Sequence, residues 1–332
     1  MEVCVFIKKL YKEIEKRIQD DNGFSYREAN IGWPSEALSD LGPFNIGECK
    51  RALFYKIMGI PCSRGMSPRV RKICDAGIMY EEAAIKNFKN TLYHVESQIR
   101  IQYEMPNTIN KVQLSGKLDE VIKDGIKKGI EIKTVYGYKA KSVFGADNKE
   151  PLPACDNLMQ VMLYKHEAKK NNINGHKIEE MYLMYINRED GCEIYYKIDM
   201  DDEGYAIITP IDMEGNEMPT INVKDYPSYE NLLNRPTTAS SDDSRKAELR
   251  INVNDIFKKF DNTFSNARAS MLPDKDYNLI YTKEQLDKEY HCGRISKLKY
   301  NKHNKGELAG DFKCAYCNYK NKCLEDEGIR LK

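Results

Sequence analysis

Residues 114–135 read LSGKLDEVIKDGIKKGIEIKTV, and the turn in the middle of this stretch decides how the rest of the chain is understood. Residues 115–122 and 129–135 have the make-up of two short strands. Asp124-Gly125, flanked by lysines, is a strong hairpin cue, because glycine tolerates the positive φ that a tight turn demands. A turn centred on Gly125 sets Asp119 directly across from Glu131, and residues directly opposite in a hairpin share a face. Lys133, two residues beyond Glu131, points the same way. Two carboxylates and an amine therefore converge on one patch. A slip of a single residue would send Asp119 to the opposite face.

Carboxylates a few ångströms apart repel each other unless a cation joins them, and hard oxygen donors favour Mg²⁺ or Mn²⁺. A lysine beside such an ion can orient a water and offset charge developing on a phosphoryl oxygen. An ordinary hairpin with a solvated face would use the same residue types, so the choice rests on the remainder of the chain.

With 332 residues the chain has room for one large domain or two ordinary ones. Its 41% apolar and 31% charged content supports a sizeable core. The formal net charge of +1 selects no class of partner, since local patches matter more than the sum. No apolar run reaches transmembrane length, so no membrane association is expected. The first twenty residues have one short apolar stretch followed by charges at helical spacing, unlike a signal peptide, which points to the cytoplasm. Ten cysteines in such a chain argue against a disulfide framework and toward a metal or cluster site.

Cys4, Cys62, Cys74, Cys155, Cys192 and Cys292 are isolated and read as small buried hydrophobes. Cys314, Cys317 and Cys323 stand together, three thiols that leave a tetrahedral site one ligand short. Zinc and an iron–sulfur cluster both suit them. Their surroundings are basic: Arg294, Lys297, Lys299, Lys302, Lys305, Lys313, Lys320 and Lys322, with tyrosines at 300, 316 and 319. Such a stretch fits a nucleic-acid surface, or a solvated charge run.

Taken in order, residues 1–30 read as a charged amphipathic helix and a polar stretch, and 33–44 as loop. A helix carrying Cys49, Lys50, Arg51, Phe54 and Tyr55 begins near Ile46. Residues 69–90 form the clearest helix, with Val70, Ile73, Cys74, Gly77, Ile78, Ala84, Ile85 and Phe88 as a buried stripe. Glu81 falls within that stripe, where a carboxylate is costly unless paired, protonated, coordinating a metal or led out to solvent. Strand-like residues at 93–95 and 98–101 lead into the hairpin, and 136–156 read as a polar loop. A second helix over about 157–170 places Gln160 and Tyr164 one turn apart, suited to phosphate or sugar contacts, with Met159, Val161, Met162 and Leu163 toward the core. Strands are expected at 181–186 and 193–198, a loop-rich insertion at 201–250, and a helix over 252–271.

In combination these segments resemble the RecB-type branch of the PD-(D/E)XK nucleases, and within it the members with a four-cysteine iron–sulfur cluster, such as the CRISPR-associated exonucleases and the AddB nuclease domain. Cys49-Lys50-Arg51 with Phe54-Tyr55 matches the cysteine that precedes the family's core. Gly77 leads to Glu81, where the family often has histidine. Gly116-Lys117-Leu118-Asp119 matches the aspartate strand, with Leu118 at the position of the proline in the family's name. Glu131-Ile132-Lys133 matches the Glu-x-Lys strand, Gln160 to Tyr164 the Gln-x-x-x-Tyr helix, and Cys314, Cys317 and Cys323 the terminal triplet.

The resemblance implies an α/β fold of restriction-endonuclease type, a mixed central sheet flanked by helices with a C-terminal cluster region. The chain is read as a single domain, with an N-terminal helical region (1–43), a catalytic core (44–200), the loop-rich insertion (201–250) and a C-terminal helix and cysteine cluster region (251–332). The resemblance implies Mg²⁺- or Mn²⁺-dependent hydrolysis of DNA, most simply by an exonuclease acting on single strands or ends in recombination, repair or end processing. A catalytically silent DNA-binding scaffold, or a zinc-ribbon regulator, is the alternative. Glu81, Asp119, Glu131 and the Ile132 carbonyl would hold the ion, Lys133 would position water, and Gln160 and Tyr164 would steady the backbone. Cys49 would complete a 4Fe–4S site, with Cys292 competing for that place. Lys50, Arg51, Lys297, Lys299 and Lys320 would guide DNA, and unwinding would fall to a helicase or another recombination or adaptation partner.

Overall fold

A computed structural model describes residues 31–41, 44–62, 68–106, 108–145, 151–224, 251–291, 295–304, 310–315 and 317–329. The N-terminal stretch 1–30, residues 225–250, Cys292 and Tyr316 lie outside them. Gly125 takes a φ of +70° and turns strand β5 (Gln113–Asp124) into strand β6 (Ile126–Val135). Asp124 pairs with Ile126 and Glu120 with Ile130, which is the register the sequence predicts, on strands longer than expected.

Six further strands complete the sheet: β1 (Ile31–Gly32), β4 (His94–Glu104), β7 (Glu180–Asn187), β8 (Glu193–Met200), β9 (Ala206–Ile211) and β10 (Ile221–Asn222). The order is β1-β5-β6-β7-β8-β9-β10, with β4 along β5. β1 on β5 and β6 on β7 are parallel and the other pairs antiparallel, so the sheet is mixed. Strands β2 (Leu38–Leu41) and β3 (Phe44–Gly47) form a separate ribbon.

Helices cover both faces. Alternation along β6 and β7 sends Ile130, Ile132, Met184 and Ile186 to one side, against Ala84 and Ile85 of a long helix, α2 (Pro68–Lys89). Leu183 and Tyr185 face the other side with helix α4 (Cys155–Lys170), whose Leu158, Met159, Val161, Met162 and Leu163 are wholly buried. Helix α5 (Val253–Arg268) adds Phe257, Phe260 and Phe264 to that core; Asn252 caps it, accepting the Asn254 N–H at 2.8 Å. The shorter helices are α1 (Lys50–Ile57), α3 (Gly137–Val143), α6 (Lys283–His291), α7 (Lys297–Asn304), α8 (Phe312–Ala315) and α9 (Lys320–Asp326).

Several expectations need correction. The first helix starts at Lys50, because Ile46-Gly47 end β3. Residues 33–44 hold a 3-10 turn (Pro34–Glu36) and β2 rather than loop. Residues 137–143 form α3, burying Ala140 and Val143 where a loop was expected. The described part of the 201–250 segment is sheet rather than insertion: β9 alternates buried and half-buried residues, a pattern hidden by the neighbouring acidic and proline residues. With β1 also in the sheet, the core overruns the bounds 44–200 at both ends. On α2 the apolar stripe is buried at Ala84 and Ile85, whereas Cys74 is exposed and Ile78 is 49% exposed. Cys62 is exposed as well. No helix among the described residues is long and apolar enough to cross a membrane.

Candidate active site

β5 is paired along one edge by β4, which reaches from Ile122 back to Gln113. Its other edge is shared. β6 covers residues 120–124 and β1 covers 113–114, so along this edge residues 115–119 have no strand beside them among the described residues. Backbone groups at such a gap need other partners. The Lys117 carbonyl accepts the Tyr164 hydroxyl at 3.1 Å, and the Asp119 carboxylate reaches across to accept the Ile132 N–H at 2.7 Å. The fork between β5 and β6 therefore brings Asp119 and Glu131 close to the helix α4 pair Gln160 and Tyr164, with Gln160 bonded to Glu131.

Gly77 brings in the third carboxylate. A Cβ there would lie 3.2 Å from the Thr134 hydroxyl of β6, so the absence of a side chain lets α2 lie close against the sheet. One turn on, half-buried Glu81 hydrogen-bonds to Asp119 and Gln98. Burial and the Asp119 charge push its carboxyl up to about 7. Asp119 is buried and also raised, chiefly by loss of water, with Lys133 and the Ile132 N–H acting against the shift. Its Oδ1 accepts the Gln98 amide at 3.0 Å.

Glu131 is 2% exposed and pushed up to about 8, by burial first and then by Asp119 and Glu81. Its Oε1 accepts from the Lys133 ammonium and from Gln160 Nε2 at 2.7 Å, while Oε2 has no hydrogen-bond partner among the described residues. Burial disfavours the Lys133 charge, but Glu131, Asp119 and Glu81 outweigh it and raise the amine. Gln160 Nε2 also donates to the Tyr164 hydroxyl at 3.1 Å. The fold thus gathers Glu81, Asp119, Glu131, Ile132, Lys133, Gln160 and Tyr164 as the sequence predicts. Gln98 belongs with them and escaped the sequence reading. Its φ of +55°, unusual inside a strand, turns it toward Asp119, and no local pattern announces that.

An acceptor buried without a donor, beside carboxylates that resist ionising together, is a donor set that suits a divalent cation. Among the described residues no three His, Cys, Asp or Glu side chains already converge on one ion position. Lys133 and the Gln98 and Gln160 amides hold the carboxylate oxygens that an ion would take.

The cysteines come together at the other end of α1. Cys49, its N-cap, lines a cavity of about 270 Å³ with Cys314, Cys317 and Cys323. The thiols line that space rather than meet at a point, and all four are free of disulfides. Burial, reinforced by the neighbouring cysteines, pushes Cys314 up to about 12 and Cys317 to about 11. Arg51 donates to the Cys323 sulfur at 3.6 Å, and Lys313 and Lys320 also line the cavity. Cations around four thiols match the negative charge that a tetrathiolate cluster carries.

The guiding role expected of Lys50 and Arg51 is not supported. Lys50 pairs with Asp276 at 3.2 Å, and buried Arg51 is taken up by the Pro273 carbonyl, Cys323 and Glu327. Lys299 donates to the Gly310 carbonyl, which leaves Lys297 as an exposed cation of that group.

No family model matches the chain, and no curated protein matches it. One matching solved structure, described as "Crystal structure of SSO0001", is 18% identical over 57% of this chain and 77% of its own, with a TM-score of 0.34. That likeness is too low to carry an argument.

Proposed function

We propose that the protein is a metal-dependent DNA nuclease of PD-(D/E)XK type, hydrolysing phosphodiester bonds in single strands or at DNA ends. The observation that carries this reading is the fork between β5 and β6, where Glu81, Asp119 and Glu131 share a site with Lys133 and Glu131 Oε2 lacks a partner among the described residues. Glu81, Asp119, Glu131 and the Ile132 carbonyl would hold Mg²⁺ or Mn²⁺. Once bound, such an ion supplies Lewis-acid polarisation of the phosphate and eases deprotonation of water.

The remaining work falls to the chain's own groups. Lys133, whose ammonium Glu131 holds at the site, orients the attacking water and offsets charge gathering on the phosphoryl oxygen. Water oxygen bonds to phosphorus as the ester P–O bond breaks, the water proton passing to bulk solvent and the departing oxygen taking one from it. Gln160 and Tyr164, locked to each other and to the β5 carbonyl, hold the sugar–phosphate backbone in line. No serine or cysteine nucleophile is required. The four cysteines would hold a 4Fe–4S cluster that joins α1 to α9 and serves as a structural clasp.

The test is digestion of end-labelled single-stranded DNA with Mn²⁺ or Mg²⁺ by wild type and Lys133→Ala. Metal-dependent loss of label that vanishes in the variant supports the reading. DNA that is bound by both proteins but cut by neither would establish the scaffold alternative.

A further inference from the structure

Beside the carboxylates, the unpaired edge of β5 opens onto a groove of about 450 Å³ whose lining includes Trp33, Arg100, Lys117, Gln160 and Tyr164. Arg100 and Lys117 are direct partners across β4 and β5. Like charges in that relation are destabilising. Both are exposed, and among the described residues neither has a carboxylate partner. Two cations held opposite each other at the mouth of a cleft create a local positive field that an anion would relieve.

Trp33 stands at the same groove, 37% exposed and fixed at its backbone. Its carbonyl accepts the Glu36 N–H at 2.8 Å, and its own N–H donates to the Glu36 carboxylate, which Lys56 holds at 3.2 Å. The turn that carries it is pressed against β5: a Cβ on Gly116 would fall 2.8 Å from the Tyr164 hydroxyl and 3.1 Å from Pro34 Cγ. An aromatic ring on so rigid a support binds a flat partner at little entropic cost.

Resting on the nuclease reading, we propose that this groove is the seat of the nucleotide next to the cleavage point of single-stranded DNA. Its base stacks on Trp33, and its phosphates lie between Arg100 and Lys117, with Gln160 and Tyr164 forming the wall shared with the carboxylates. Stacking on Trp33 requires a base face that a duplex keeps covered, so the groove selects single strands.

Trp33 is the chain's single tryptophan, so its fluorescence reports this groove alone. Oligothymidylate titrated into the 332-residue protein without divalent ion is expected to quench that fluorescence saturably, whereas a blunt duplex is not. By anisotropy of a labelled oligomer, Trp33→Ala weakens binding roughly 5- to 140-fold, the range of one lost stacking contact. Trp33→Phe, which retains an aromatic face, recovers most of it and shows that the fold is intact. Arg100→Gln and Lys117→Gln each make log affinity less steep against log salt by about 0.7. Binding without quenching, unchanged affinity in Trp33→Ala, equal quenching by duplex, or absence of binding would overturn the proposal. Quenching without metal-dependent cleavage would instead remove the nuclease reading and leave the groove standing.

Discussion

Because Glu131 is buried beside two further carboxylates, it holds its proton up to about pH 8, and half-buried Glu81 holds its own to about pH 7. Both values lie above the ordinary carboxylate range, so the folded state binds these protons more tightly than the unfolded chain. The stability they contribute is complete below about pH 4 and is lost as pH rises through 7 and 8. A divalent cation replaces those protons. Thermal unfolding is therefore expected to show a larger rise in Tm with Mn²⁺ at about pH 9 than at about pH 6; equal shifts at both would refute this account of the carboxylates. Lys133→Ala is expected to lower kcat by about 10²–10³-fold, the usual effect of losing one preorganised charge partner, while Mn²⁺ still raises Tm. The triad of Asp119, Glu131 and Lys133 is legible in the sequence because a glycine turn and period-two alternation are local rules. Gln98 and Trp33 are not, since each reaches the site through a cross-strand or loop placement that no short window encodes.

The fork in β5 is the element on which the site depends. One strand edge is divided between β1 and β6, and the exposed middle is closed by α4 side chains instead of by another strand. Gly116 sits in that middle with almost no room for a side chain. Gly116→Ala is expected to destabilise the protein by ~1–3 kcal/mol, as overpacking of a tight contact does, and to lower cleavage by displacing Tyr164. Urea unfolding and a kcat measurement on one preparation check both effects, and an unchanged midpoint would contradict the close packing. The long helices α2, α4 and α5 can be read from the sequence as helices, although Cys74 and Ile78 of the α2 stripe are exposed. The ends of the sheet cannot. β1 has two residues and β10 has two, and their pairing is set by distant strands rather than by their own composition.

Across the whole molecule, the cysteine cavity links Cys49, at the start of α1, with Cys314, Cys317 and Cys323 late in the sequence. Protein purified without oxygen is expected to absorb broadly in the visible and to contain iron. Cys49→Ser should lose both together with several degrees of Tm, because the clasp closes a loop of most of the chain. Full iron content in Cys49→Ser would move the fourth ligand elsewhere, with Cys292→Ser as the next variant to assay. The central claim concerns the carboxylates, and single-turnover cleavage of end-labelled single-stranded DNA against Mn²⁺ concentration, in wild type and Asp119→Asn, tests it most directly. The account predicts a rate that saturates with Mn²⁺ in the wild type and falls by orders of magnitude in the variant. Cleavage that needs no divalent ion, or that survives Asp119→Asn undiminished, would contradict it.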